Sequence, residues 1–272
     1  MDISKLKQRP IVFARLFGLT PGQFDELVAK VQPLWIKAET KRLRHARKIK
    51  QGSGRRYKLV LEESVAMLLL YVRSYTTHAF LAALFDVHDS QVGRYFAKIR
   101  PIVESVFDLP TKHADLSEET VAKLIVDATE QRTERRKEGA GYSGKKKAHT
   151  VKTQIVVDRH GGIRHVSQSV PGNIHDKKLF DRSKVKLPDN AKGDLGYLGT
   201  NVTIPLKSSK FHPLSDAQKG RNRRFSKARI VVEHVLASLK FYRILVDRFR
   251  GSLANYHNYF LILCGLRNIA RS

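Results

Sequence analysis

His149-Thr-Val-Lys-Thr-Gln-Ile-Val-Val157 and Ile163-Arg-His-Val-Ser-Gln-Ser169, joined through Asp158-Arg-His-Gly-Gly162, decide how the C-terminal half of this chain is read. Both runs are rich in β-branched residues, and the Gly-Gly element between them is a hairpin signal. Just upstream, Lys123-Leu-Ile-Val-Asp127 is a short apolar run suited to a buried strand that ends on an acid. Downstream, Pro171-Gly-Asn173-Ile-His175-Asp176 opens a short helix to about Asp181, with Asn173 as its cap. Two further strands are expected, Ala191 to Leu195 and Val202 to Lys207, then a long helix around Glu233 and a last one from Asn255 to Ile269. Strand, hairpin, helix, strand, strand, helix is the order of a mixed sheet flanked by helices.

The fold class is therefore α/β: an all-helical N-terminal part followed by a ribonuclease-H-like mixed sheet over residues 116–272. Residues 11–36 read as two short helices, with Thr20-Pro21 as cap and first helical residue and Phe24, Leu27, Val28 and Val31 on one stripe. Residues 41–58 carry nine Lys/Arg and no acid. We read them as an arm that tracks phosphates through Arg42, Arg44, Arg47, Lys48, Arg55 and Arg56, the alternative being a solvated loop. Residues 1–58 are thus a basic helical region. From Leu59 to Glu104 the periodicity is helical, broken only at Asp86-Val-His88. A short turn followed by a helix that opens on polar residues is the pattern of a helix-turn-helix, placed here at 59–110. Asp89, Ser90, Gln91, Arg94 and Lys98 then face DNA, while Val92, Tyr95, Phe96 and Ile99 pack; a plain three-helix bundle gives the same pattern.

The 272 residues hold 51 Lys+Arg against 25 Asp+Glu, a formal charge of +26. Such an excess calls for a polyanionic partner, and nucleic acid is the simplest. No stretch approaches the roughly 18 apolar residues of a spanning helix, and the N-terminus lacks a signal-peptide core. A membrane partner is not expected, and an intracellular protein is. Cys264 is the single cysteine, which excludes internal disulfides and cysteine-based zinc modules and leaves it to serve as a small buried hydrophobe.

The chemistry lies in distant acids. Asp127 ends the expected first strand, Asp194 sits in Gly193-Asp-Leu-Gly-Tyr197, and Glu233 projects from an apolar helix. At about 100° per residue, Arg229 and Lys240 fall within roughly 40° of Glu233, opposite Val231, Val235, Leu239 and Tyr242. Carboxylates without accompanying His or Cys suit a hard cation, Mg²⁺ or Mn²⁺, and two such ions would serve an in-line displacement at phosphorus. Each acid has a plainer reading: Asp127 and Asp194 as turn caps, Glu233 as half of a surface ion pair. Asp176 is an alternative to Asp194, although an acid in the first turn of a helix is stabilising without any catalytic role. Lys145, Lys146 and Lys147, with Arg221, Arg223 and Arg224 in the loop before the long helix, are further phosphate contacts.

These motifs resemble an insertion-sequence transposase of the IS-five family, in the Harbinger-like DDE superfamily, over nearly the whole chain. Val126-Asp127-Ala-Thr-Glu130 is similar to the first catalytic block, Tyr142 to His149 to the basic turn entering the second strand, and Asp194-Leu-Gly-Tyr197 to the second aspartate motif. Arg229, Glu233 and Lys240 match the spacing of the third block. The related pattern has a tyrosine three residues before that arginine, where this chain has Ser226. The resemblance implies divalent-metal-dependent cleavage and strand transfer on double-stranded DNA, both the element's terminal inverted repeats and its target. It also implies a homodimer or larger synaptic complex, in the cytoplasm and at the nucleoid of a prokaryote. A transposase-derived regulator without catalysis, or a nuclease that cuts without joining, is the rival reading.

Overall fold

The computed structural model describes residues 1–46, 57–117, 124–134, 141–209, 211 and 213–271, with backbone alone for 43–46. The chain divides into two compact units. The first comprises Met1–Asp108 with Tyr242–Ile244 and Gly265–Ser272, the second Leu109–Phe241 with Leu245–Cys264.

The first unit is helical: α1 (Ile3–Lys7), α2 (Pro10–Phe17), α3 (Pro21–Ala46), α4 (Leu61–Ser74), α5 (His78–Phe85) and α6 (Asp89–Val106). Thr20 caps α3 reciprocally, its hydroxyl accepting from Gln23 N–H while Gln23 Oε1 accepts from Thr20 N–H. Phe24, Leu27 and Val31 are fully buried, and Phe13, Phe17 and Phe24 form a ring cluster against them. The expected second helix is longer than its apolar stripe. It runs on through Pro33 to Ala46, so the start of the basic arm is helical. Three residues separate α5 from α6, and Asp86 adopts φ +51°, the left-handed turn that ends α5. His88 caps α6, which buries Val92, Tyr95, Phe96, Ile99 and Val103, the expected stripe extended by one turn.

The second unit is built on an antiparallel sheet. Its strands are β1 (Ile125–Arg132), β2 (Tyr142–Ser143), β3 (Ala148–Val157), β4 (Ile163–Val166) and β5 (Val170–Pro171), and β3 pairs with each of the others. The expected hairpin is present. Asp158 holds its turn together, its Oδ1 accepting from the His160 and Gly162 amides. β1 does not end at Asp127 but continues five residues past it, because Ala128 to Arg132 keep pairing with β3. Helix α7 (Asp176–Ser183) starts two residues later than expected, capped by His175 rather than Asn173.

The two expected strands near 191 and 202 are reduced to isolated parallel bridges, Ile125 with Lys192 and Lys192 with Thr203. Gly193 and the Asp194–Tyr197 turn interrupt the first, and Pro205 removes a donor from the second. The bridges nonetheless add a parallel side to an antiparallel sheet, which is the mixed arrangement expected. One face of this unit buries Leu124, Val126, Val156, Phe180, Leu187, Ala191, Tyr197 and Val202 as one cluster. Helices α8 (Asp216–Leu239) and α9 (Leu253–Arg271), the latter as far as Cys264, complete this unit. Helix α8 begins well before the expected block. Ser215 and Gln218 form a capping box there, so Arg221, Arg223 and Arg224 are helical rather than in a loop.

Candidate active site

Asp127 and Asp194 are set side by side by backbone register. Lys192 N–H donates to Leu124 C=O at 2.9 Å and Val126 N–H to Lys192 C=O at 2.8 Å, a parallel pairing centred on Ile125. Two residues further along each chain come the two aspartates. Asp194 leaves the pairing at once. Its Oδ1 accepts from Gly196 N–H at 2.8 Å and caps the 3₁₀ turn Leu195–Tyr197. Gly196 matters for space rather than for φ: a Cβ there would lie 2.6 Å from Asp176 Oδ2 and 2.9 Å from Asp194 Oδ1. Both carboxylates therefore crowd the same glycine, so the structure brings Asp176 to the site beside Asp194.

Two cations enter this group. Arg229 Nη2 from α8 lies 3.3 Å from Asp127 Oδ2, both side chains being less than one-fifth exposed. Lys152 Nζ, from β3, lies 2.9 Å from Asp176 Oδ1 and donates to Ile174 C=O at 2.8 Å. Burial pushes the Asp127 carboxyl above its ordinary range, and the neighbouring charges of Asp194 and Asp176 add to that. The Ala128 amide and Arg229 oppose it. Three acids facing two cations leave an excess of negative charge.

Glu233 is one helical turn beyond Arg229 and exposed, and Lys240 is the exposed C-cap of α8. The buried stripe of α8 is Phe225, Val232, Val235 and Leu239. Arg229 lies at its margin, which is why it reaches inward while Glu233 does not. Ser226, where a tyrosine is the related pattern, is exposed.

Among the described residues, no three His, Cys, Asp or Glu are grouped closely enough to hold a metal ion as they stand. The donor chemistry nevertheless fits a hard cation. The acids supply only oxygen ligands, their charge is under-neutralised, and Gly196 leaves clearance beside two of them.

Lys152 and Tyr197 are site residues that the sequence reading passed over. Lys152 lies in an alternating strand, and only the register against β5 and the fold of α7 place it beside Asp176. For Tyr197 the sequence signal is its position in Asp-Leu-Gly-Tyr, three residues after an acid.

The expected DNA-facing residues divide. Ser90 and Arg94 are exposed on α6, whereas Gln91 is engaged by its capping bond to His88 N–H at 3.1 Å. Lys98 Nζ sits 4.3 Å over the Tyr57 ring and 3.9 Å from Glu39, and Arg42 forms an ion pair with the same glutamate. Lys145, Lys146 and Lys147 are exposed in the turn between β2 and β3, and Arg221, Arg223 and Arg224 are exposed on α8. Only the backbone of Arg44 is described, and Arg47, Lys48, Arg55 and Arg56 lie outside the described residues.

Residues 126–268, which span the three acids and α8, match the family described as DDE superfamily endonuclease. The chain belongs to that family. Residues 57–108 match the helix-turn-helix of DDE superfamily endonucleases, which covers α4 to α6. Endonucleases of this superfamily generally work with divalent metal ions. Among similar proteins, the probable transposase for insertion sequence element IS702 of Microchaete diplosiphon is 34% identical over 264 residues, covering 92% of this chain and 91% of that one. The putative transposase for insertion sequence element IS112 of Streptomyces albus G is 28% identical over 267 residues, covering 96% and 95%. No solved structure matches. Among the described residues, no helix of this DDE endonuclease is long and apolar enough to cross a membrane.

Proposed function

We propose that this DDE superfamily endonuclease is a transposase, cutting double-stranded DNA at the terminal inverted repeats of an element and joining the freed 3′ end to target DNA. The observation that carries the reading is the parallel register that sets Asp194 abreast of Asp127, with Arg229 reaching Asp127 from the helix that also carries the exposed Glu233. In this reading Asp127, Asp194 and Glu233 hold two divalent cations, Mg²⁺ or Mn²⁺. Asp176 is an alternative ligand that Lys152 otherwise neutralises. Bound there, the ions would activate the attacking oxygen and stabilise the leaving oxygen of an in-line displacement at phosphorus.

The chain's own residues do the rest. Arg229 and Lys240 flank Glu233 on the helix and orient substrate phosphates by charge-assisted hydrogen bonds. Ser90, Arg94 and the cations at 145–147 and 221–224 align the duplex, and of these only Ser90 and Arg94 reach base edges. The domain division follows: 1–58 a basic helical region, 59–110 the DNA-binding helix-turn-helix, 116–272 the catalytic part. Two ends must meet, so the working form is a dimer or larger synaptic complex in the prokaryotic cytoplasm, at the nucleoid.

The test is a nicking and strand-transfer assay on DNA bearing the element's end. Glu233→Gln is expected to remove divalent-metal-dependent cleavage while end binding persists. Retained cleavage in that variant would remove Glu233 from the chemistry, and cleavage without joined products in the wild type would reduce the protein to a nuclease.

A further inference from the structure

Tyr197 is 1% exposed, and its hydroxyl is buried without a hydrogen-bond partner. The ring is firmly seated. It stands edge-on to Phe180 with centroids 5.9 Å apart, within the apolar cluster that includes Val126, Val156 and Val202. Gly193 makes room for it, since a Cβ at that position would lie 2.9 Å from Tyr197 Cδ2. The polar end of this apolar side chain senses the charges of Asp127, Asp176, Asp194 and Arg229, and burial together with the three acids pushes the phenol well above its ordinary value. It is a buried donor without a partner, within electrostatic reach of the group of acceptors.

A buried hydroxyl left unpaired keeps the cost of its lost hydration, so as far as the fold is concerned phenylalanine would serve better. The three acids have more oxygens than their present partners engage, and those oxygens must be held in one arrangement if they are to share a cation. We infer that Tyr197 is a positioning residue whose hydroxyl donates to the carboxylate cluster, or to a water it retains, once a divalent cation occupies the site. The inference rests on the metal-site reading above and gives Tyr197 a task distinct from that of the ligands. Hydrogen-bond partners that orient metal ligands are commonly worth about 10- to 100-fold in metal affinity.

The test uses the full chain and Mn²⁺ alone, with binding followed by calorimetry and by the loss of the free-ion paramagnetic resonance signal. Tyr197→Phe is expected to weaken Mn²⁺ binding by about 10- to 100-fold. The metal-free thermal midpoint should stay at or above that of the wild type, and binding to element-end DNA should be unchanged. A hydroxyl that merely supports the fold would instead lower the metal-free midpoint, and that result would overturn the inference. Wild-type Mn²⁺ affinity in Tyr197→Phe would overturn it as well, while leaving the metal site itself standing. A wild-type protein that binds no Mn²⁺ would remove both the metal-site reading and this one.

Discussion

The sheet half and the helix half of the site are fixed by different means. Asp127 and Asp194 are placed by main-chain hydrogen bonds around Ile125 and Lys192, so their proximity depends on register. Glu233 is placed only by helical phase. Four residues earlier Arg229 lies at the margin of the buried stripe and reaches Asp127, whereas Glu233 is turned further outward and is exposed. Register is set by every residue of the strand, but phase can be adjusted by a small rotation or by a side-chain torsion. The comparison teaches that the sheet presents a preformed pair of acids, whereas the third acid of the proposed site stands exposed on the helix and would have to turn inward to join them.

Two substitutions separate those halves. Asp127→Asn and Glu233→Gln are each expected to reduce cleavage by on the order of 10³-fold or more, since residues acting as a unit fail together. Their effects on stability should differ. Burial holds Asp127 above its ordinary carboxylate value, so between that value and the raised one the native state binds more protons than the unfolded chain. Stability then falls as pH rises through that window, and at neutral pH the ionised Asp127 is a cost. Asp127→Asn should therefore keep or raise the thermal midpoint. Glu233→Gln, at an exposed position, should leave stability within about 0.5 kcal/mol. A large loss of stability in Asp127→Asn would mean that its bond to Arg229 outweighs its burial, and would weaken the idea of a preformed, strained pair.

A smaller effect probes the sheet away from the acids. His165 on β4 is fully buried, and burial lowers its pKa from 6.5 to about 4. The native state resists the proton that the unfolded chain accepts, so stability present above pH 6.5 is lost as pH falls towards 4. At about 1.4 kcal/mol per pKa unit this is on the order of 3 kcal/mol. Replacing His165 by Leu should flatten that acid limb in a denaturation series, and an unchanged limb would place the sensitivity elsewhere, with buried His257 next in line.

Much of this arrangement was legible in the residues because local signals agreed with one another. The Asp158-Arg-His-Gly-Gly162 turn, the α6 stripe and the Thr20-Pro21 start all follow from spacing and capping, and all are present. Long-range pairing was less legible. The run of residues 191–195 reads as a strand by composition, yet it contributes only the two isolated bridges of Lys192, because its glycine and capping aspartate turn the chain into a 3₁₀ turn. Asp176 looked like a helix-dipole acid from its neighbours in sequence. Only the fold, through Gly196 and Lys152, puts it next to Asp194. The start of α8 is hard to read from sequence for a different reason: its cap at Ser215 stands before a run of cations that, near a helix N-terminus, oppose the dipole.

The central claim is that the three acids of two different origins share cations. Anomalous diffraction from crystals of the protein grown with Mn²⁺ tests it most directly. The account predicts Mn²⁺ peaks at the carboxylates of Asp127 and Asp194, with the Glu233 side chain turned in towards them. Crystals that show no peak at these acids, or peaks there with Glu233 still pointing to solvent, would contradict it.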